Sequence, residues 1–72
     1  SVGWLEHAKD FSESSIERFR LNGDSRVVEV ASNDGYLLRN YLEAGIPCLG
    51  IEPTASTASV AEGLGIPVIR EF

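Results

Sequence analysis

Apolar positions recur at spacings of three and four over the first third of the chain. Trp4, Ala8, Phe11, Ser15 and Phe19 share one side, with Leu5, Ser12 and Ile16 on the adjoining edge, and Glu6, Lys9, Asp10, Glu13, Glu17 and Arg20 lie opposite. That period predicts an amphipathic helix over Trp4 to Leu21. Ser14-Ser15-Ile16-Glu17 has the form of a capping box, which keeps open a break near Ser12 to Ser14. Asn22-Gly23-Asp24-Ser25 should stop the helix, because Gly and Asn accept left-handed backbone and Asp and Ser favour turns. The pattern then changes. Arg26 to Ala31 is a β-branched run, apolar on both faces except at Glu29, as a buried parallel strand reads.

Ser32-Asn33-Asp34-Gly35 reads as a turn, and Tyr36 to Ala44 returns to helical spacing through Leu37, Leu38, Tyr41 and Leu42. Gly45 stops that helix and Pro47 to Ile51 forms a second strand, ending in Glu52-Pro53. Thr54 to Glu62 is a helix of small residues, with Val60 and Leu64 expected on its apolar side, and Pro67 to Ile69 opens a third strand. Gly45-Ile46-Pro47 and Gly65-Ile66-Pro67 echo each other as the repeated turn from helix to strand. Helix, strand, helix, strand, helix, strand implies right-handed crossovers and a parallel sheet. The expected fold is α/β, the first half of a Rossmann-like doubly wound sheet, with a leading helix over 1–22 and a βαβαβ core over 26–72.

Composition narrows the function classes. The chain has 72 residues, 43% of them hydrophobic, and a net charge of −5 from six Lys and Arg against eleven Asp and Glu. One small domain is the ceiling, since a chain of this size buries only about 60% of its unfolded surface. Nonspecific nucleic-acid or anionic-membrane binding needs clustered cations, so neither is expected as a partner. The single cysteine, Cys48, excludes an internal disulfide and any multi-cysteine metal site within the chain. The longest apolar stretch, Ile46 to Ile51, is too short for a membrane span or a signal-peptide core. The chain opens Ser-Val-Gly-Trp, contains no methionine and stops just after a strand-like run. The expectation is a piece cut from a longer protein.

Ligands of such sheets bind at the carboxyl ends of the strands. Two segments lie there: Glu29-Val30-Ala31-Ser32-Asn33-Asp34-Gly35 after the first strand, and Gly50-Ile51-Glu52-Pro53 closing the second. Glu29 and Glu52 stand 23 positions apart, and an acid closing the second strand can accept two hydrogen bonds from a ribose diol. A dinucleotide site needs G-x-G-x-x-G so that backbone can approach a pyrophosphate. Here only Gly35 survives, Ala31 and Asn33 hold the other tight positions, and Asp34 puts a negative charge where phosphates would sit. A nucleoside without phosphates, carrying a sulfonium and an amino group, fits this acidic loop better. S-adenosylmethionine is such a molecule.

Val27-Val28-Glu29-Val30-Ala31-Ser32-Asn33-Asp34-Gly35-Tyr36-Leu37-Leu38, followed by Gly45-Ile46-Pro47-Cys48-Leu49-Gly50-Ile51-Glu52-Pro53, resembles the nucleotide-sugar C-methyltransferase family. The similarity runs from about Trp4 to Phe72. It implies an S-adenosylmethionine-dependent enzyme of the cytoplasm that methylates a ring carbon of a deoxysugar linked to a nucleoside diphosphate. Carried over position by position, Glu29, Ala31, Ser32, Asn33 and Gly35 would form the methionine side of the cofactor loop. Glu52 would hold the ribose hydroxyls, and Pro53 would shape the wall beside the adenosine. Ala31 stands where the family often has glycine, which narrows the backbone approach. The family's zinc-binding amino-terminal segment, its sugar pocket and its catalytic base have no counterpart here, so no catalytic residue is assigned and the chain alone is expected to be inactive.

Plainer roles stand beside these. Glu29 could pair with Arg39 across the strand-helix contact, and the Asn33-Asp34-Gly35 segment could be a simple capped turn. Glu52 without ligand is expected to be a hydrated carboxylate. Trp4, Phe11 and Phe19 are expected to be packing residues, His7 a surface residue and Cys48 a small buried hydrophobe. An EF-hand fails because Val30 and Tyr41 would fall at ligand positions, and a magnesium site from Glu29, Asp34 and Glu52 lacks the adjacent acid pair and lysine. No metal is expected. A non-catalytic α/β interaction module and an NAD(P)-binding Rossmann fragment remain the alternatives. An unpaired outer edge on the first strand, with its apolar face partly uncovered, invites self-association.

Overall fold

Three apolar runs, β1 (Val27–Val30), β2 (Cys48–Ile51) and β3 (Val68–Ile69), pair side by side as one parallel sheet in the order β1-β2-β3. The helices α1 (Val2–Phe19), α2 (Leu38–Glu43) and α3 (Ala55–Gly63) precede them in turn. This computed structural model describes residues 2–72. The α/β alternation expected from the sequence is present, and both helix-to-strand turns have one geometry. Gly45 and Gly65 take the left-handed conformation (φ 76° and 95°). The next N–H, of Ile46 or Ile66, then reaches back to the carbonyl of Tyr41 or Ala61 at 2.9 and 3.2 Å. Ile46 and Ile66 follow directly and are almost wholly buried.

Side chains alternate across a strand, and among the described residues only one face of this sheet carries helices. Cys48 and Gly50 of β2 are buried on that face, and Val27 and Val68 pack there against a core of Leu38, Tyr41, Ile46, Cys48, Ala61 and Ile66. The other face is aliphatic and open. Val28 stands beside Leu49, Val30 beside Ile51, and Ile51 in turn beside Ile69. Val28 and Val30 are 55% and 65% exposed. β1 is therefore not buried on both faces as its β-branched run reads; nothing among the described residues covers its second side, in line with the expectation of a partly uncovered apolar face.

The helix faces differ from the pattern in the same way. α1 is continuous, without the break considered near Ser12, because Ser12 and Ser15 donate back to the carbonyls of Lys9 and Ser12 rather than capping a new helix. Its buried seam is Ala8 and Ser12, with Ser15 and Ile16 half-buried, and the Ser15 hydroxyl shares a 2.7 Å hydrogen bond with that of Tyr41. Small residues let α1 come close to α2, and this leaves Trp4, Phe11 and Phe19 more than half exposed. Arg20, not the Asn22-Gly23 pair, takes the left-handed turn (φ 54°) that ends α1, with Leu21 N–H bonded to the Ile16 carbonyl. In α3 the buried positions are Ala58 and Ala61, while Val60 and Leu64 face outward. The alanines again win because close approach needs small side chains.

Leu38 lies at the centre of the core and is fully buried. Leu38→Ala is expected to cost about 2–5 kcal/mol, enough to unfold most of a marginal small domain. Val28→Thr on the open face should stay within about 0.5 kcal/mol of the parent. Urea titrations followed by circular dichroism measure both.

Candidate functional site

The chain leaves β1 through a loop whose alternate residues turn left-handed: Ala31 (φ 61°), Asn33 (φ 60°) and Gly35 (φ 87°). Left-handed backbone costs an ordinary L-residue about 1–2 kcal/mol, so the surroundings must impose it at Ala31, while Asn33 is of a type that accepts it. The surroundings do so by hydrogen bonding. The Ile51 carbonyl at the end of β2 accepts from both Ala31 N–H (2.7 Å) and Ser32 N–H (3.2 Å), and Gly35 N–H closes the turn on the Ser32 carbonyl. Asp34 Oδ1 accepts from Tyr36 N–H at 3.1 Å, and the Gly35 carbonyl receives Arg39 N–H as α2 begins. The helix itself starts at Leu38, two residues later than the pattern indicates, because these turns occupy 34–37.

Glu52 holds the loop from the other side. Its Oε1 accepts from Asn33 N–H at 2.9 Å and its Oε2 from Thr54 N–H at 3.0 Å. The carboxylate is 8% exposed, so the expectation of a hydrated strand-end acid is corrected. The two backbone N–H groups, Thr54 first and then Asn33, pull its pKa below the usual carboxylate range. Pro53, between these contacts, is exposed.

Two glycines make room for this arrangement. A Cβ on Gly35 would lie 2.6 Å from Ile66 Cδ1 and 3.3 Å from Ala61 Cβ, and a Cβ on Gly50 would lie 2.3 Å from Ser32 Oγ. Ser32 is wholly buried over that bare stretch of β2, and its hydroxyl has no hydrogen-bond partner among the described residues. Glu29, which stands opposite Gly50 in the strand register, also has an unpartnered buried oxygen, Oε1. Burial raises its pKa. The alternative pairing of Glu29 with Arg39 is not formed, since Arg39 lies 3.8 Å from Glu43 instead.

Glu29, Ala31, Ser32, Asn33, Gly35 and Glu52 are thus gathered at the carboxyl ends of β1 and β2. Within 29–35 and 50–54 there are three carboxylates and no Lys or Arg. Thr54, whose backbone N–H fixes the Glu52 carboxylate, lies outside the segments expected to form the site, and Gly50, inside one of them, admits Ser32 through its missing side chain. A glycine inside an apolar strand is a signal of close backbone approach, whereas nothing in the sequence marks Thr54. Among the described residues no group of three or more His, Cys, Asp or Glu is placed to hold a metal ion, and no helix is long and apolar enough to cross a membrane.

None of the protein families compared matches the chain. Among curated proteins it is similar to the C-methyltransferase NovU of Streptomyces niveus, 31% identical over 65 residues, which cover 90% of this chain and 16% of that protein. Its fold is similar to the crystal structure of a SAM dependent methyltransferase from Archaeoglobus fulgidus, with a TM-score of 0.63 and 20% identity, covering 89% of this chain and 29% of that one. The chain therefore spans about a sixth of the curated relative's length. One likeness lies in sequence, over a small part of the relative, and the other in fold.

The two acids should act on stability with opposite signs. Glu52 has a depressed pKa in the folded chain, so its contribution is present above the unfolded-state value of about 4.5 and is lost as pH falls through the lower folded value. Glu29 has a raised pKa, so ionising it opposes folding at neutral pH, and that cost vanishes below the unfolded value. Glu29→Gln should therefore melt higher than the parent at pH 7, with the gain shrinking as pH approaches 4.5. Melting curves between pH 4 and 8 test this.

Proposed function

We propose that the chain is the cofactor-binding part of an S-adenosylmethionine-dependent methyltransferase. The observation that carries the reading is the Ala31–Gly35 loop, turned left-handed at alternate residues and tied by Asn33 N–H to the carboxylate of Glu52. The donors and acceptors fit the cofactor. Glu29 and Ser32 offer buried polar atoms without partners, suited to the amino and carboxyl groups of its methionine part. Glu52 keeps a second lone pair on each oxygen for the ribose hydroxyls, and the exposed Pro53 borders the adenosine. Three carboxylates without a cation favour a positively charged nucleoside and disfavour a pyrophosphate. S-adenosylmethionine, when bound, supplies the methyl group as an electrophile on sulfur. The chain's own residues bind and orient; none is assigned as the base.

The finer reading is C-methylation of a deoxysugar carried on a nucleoside diphosphate, in the cytoplasm. It is supported by the Glu29-to-Leu38 and Gly50-to-Pro53 strings and by the likeness to a C-methyltransferase. Calorimetric titration with S-adenosylmethionine should show binding, and Glu52→Ala should weaken it roughly ten- to a hundredfold, the range of one to two lost charge-assisted hydrogen bonds. Because Glu52 also holds Asn33 and Thr54, the same variant should melt lower. Binding unchanged in Glu52→Ala would overturn the ribose assignment. No methyl transfer by the chain alone is expected.

Self-association is also part of this reading. β1 lies at an edge of the sheet and its open face is aliphatic, a combination that favours pairing with a second copy. Sedimentation equilibrium at increasing concentration should show mass above 7.8 kDa; a strict monomer would remove this element.

A further inference from the structure

We propose that Glu62 is a positioning residue for the strand-end site: with Ser59 it holds Arg70 against α3 and so keeps a guanidinium off the carboxylate of Glu52. The consequence for cofactor binding rests on the methyltransferase reading; the contact that is prevented concerns this chain alone. The ladder brings Arg70 beside Glu52. Gly50 is paired with Val68 and its N–H bonds to the Pro67 carbonyl, and the Glu52 N–H bonds in the same manner to the Ile69 carbonyl at 2.9 Å. Continued by two residues, the register sets Glu52 opposite Arg70 on strands about 5 Å apart. Side chains alternate along β3 as well. Val68 packs on the core and Ile69 lies on the open face, so Arg70 returns to the side of the helices, the side on which Gly50 and Glu52 are buried.

Opposite charges facing each other on neighbouring strands attract, yet this pair does not form. Arg70 Nη2 donates to Ser59 Oγ at 3.0 Å and to Glu62 Oε1. Ser59 and Glu62 are three residues apart on α3 and therefore share one face of it. Of these two acceptors the carboxylate is the stronger, because a charge-assisted bond outweighs one to a hydroxyl. The alternative partner matters to the site. Asn33 and Thr54 N–H occupy one lone pair on each Glu52 oxygen, which leaves the other two for a ribose diol. A guanidinium presents paired N–H groups that match a carboxylate, so a released Arg70 would take those same two. It would also set a positive charge beside a positively charged nucleoside. The segments 29–35 and 50–54 contain no Lys or Arg, and the charge of the site therefore depends on where Arg70 is held. Both members of the Arg70–Glu62 pair are partly exposed, so its loss should leave the fold intact.

Glu62→Ala, Arg70→Gln and the two combined separate this role from plain support of α3. Isotope-edited NMR follows the titration of the Glu52 carboxyl without cofactor, and calorimetry gives Kd for S-adenosylmethionine on the same samples. In Glu62→Ala the released guanidinium should lower the Glu52 midpoint further, and Kd should rise roughly five- to tenfold. Arg70→Gln alone should keep the parent midpoint and hold Kd within about twofold. The combined variant should match Arg70→Gln, because the competitor is gone. An unmoved midpoint in Glu62→Ala, with circular dichroism showing the parent fold, overturns the proposal. So does a Kd that rises as much in Arg70→Gln as in Glu62→Ala, or a moved midpoint with Kd unchanged. The titration needs no cofactor, so the two readings part. A moved midpoint in chains that bind no S-adenosylmethionine overturns the methyltransferase reading and leaves the hold on Arg70 standing. Binding by the parent with an unmoved midpoint in Glu62→Ala overturns the hold alone.

Discussion

Both oxygens of the Glu52 carboxylate are engaged by backbone N–H groups, one from the loop after β1 and one at the start of α3, and the shape of the strand-end site follows from that pair of bonds. Asn33 is fixed in the left-handed conformation, Ala31 and Ser32 are drawn onto the end of β2, and Gly35 is pressed against Ala61 and Ile66. A carboxylate can do this where an amide could not. It accepts at both oxygens, whereas glutamine would turn an N–H₂ toward one of the two donors. The arrangement joins the loop after β1 to the turn between β2 and α3, two segments 19 residues apart.

Small size is the second theme of the packing. Ala8, Ser12, Gly50, Ala58 and Ala61 stand at the closest approaches, and the bulky apolar residues of the same elements are displaced to the surface. The result is a thin core on one side of the sheet, with polar atoms of Ser32 and Glu29 buried at its upper rim. Burial of an unpaired polar atom opposes folding. In the proposed reading these two atoms are left for the ligand to pair.

The order and type of all six elements were legible, because the change from a period of three to four to β-branched runs is strong and the Gly-Ile-Pro turns punctuate it. The loop residues were legible as a group for the same reason. Burial was not. Periodicity identifies a helix face but cannot say whether the neighbour leaves room for Phe11 or only for Ser12, and it cannot say that the second face of β1 lies open. The role of Glu52 was half legible: its place at a strand end is in the sequence, but its partners are backbone groups of Asn33 and Thr54, and any residue type supplies a backbone N–H.

The turns that lead into β2 and β3 each place a proline at the first rung. The carbonyl of Pro47 receives Val27 N–H and that of Pro67 receives Gly50 N–H, both at 2.9 Å. Proline brings an acceptor to the ladder and no donor. A strand slipped by one residue would turn its side chains to the wrong face, and a slip by two, which preserves the faces, would carry the proline to a rung where a hydrogen is required. Each strand is therefore stopped at its lower end like a pawl against a tooth. The acids and glycines at the upper end meet in the same alignment every time the chain folds.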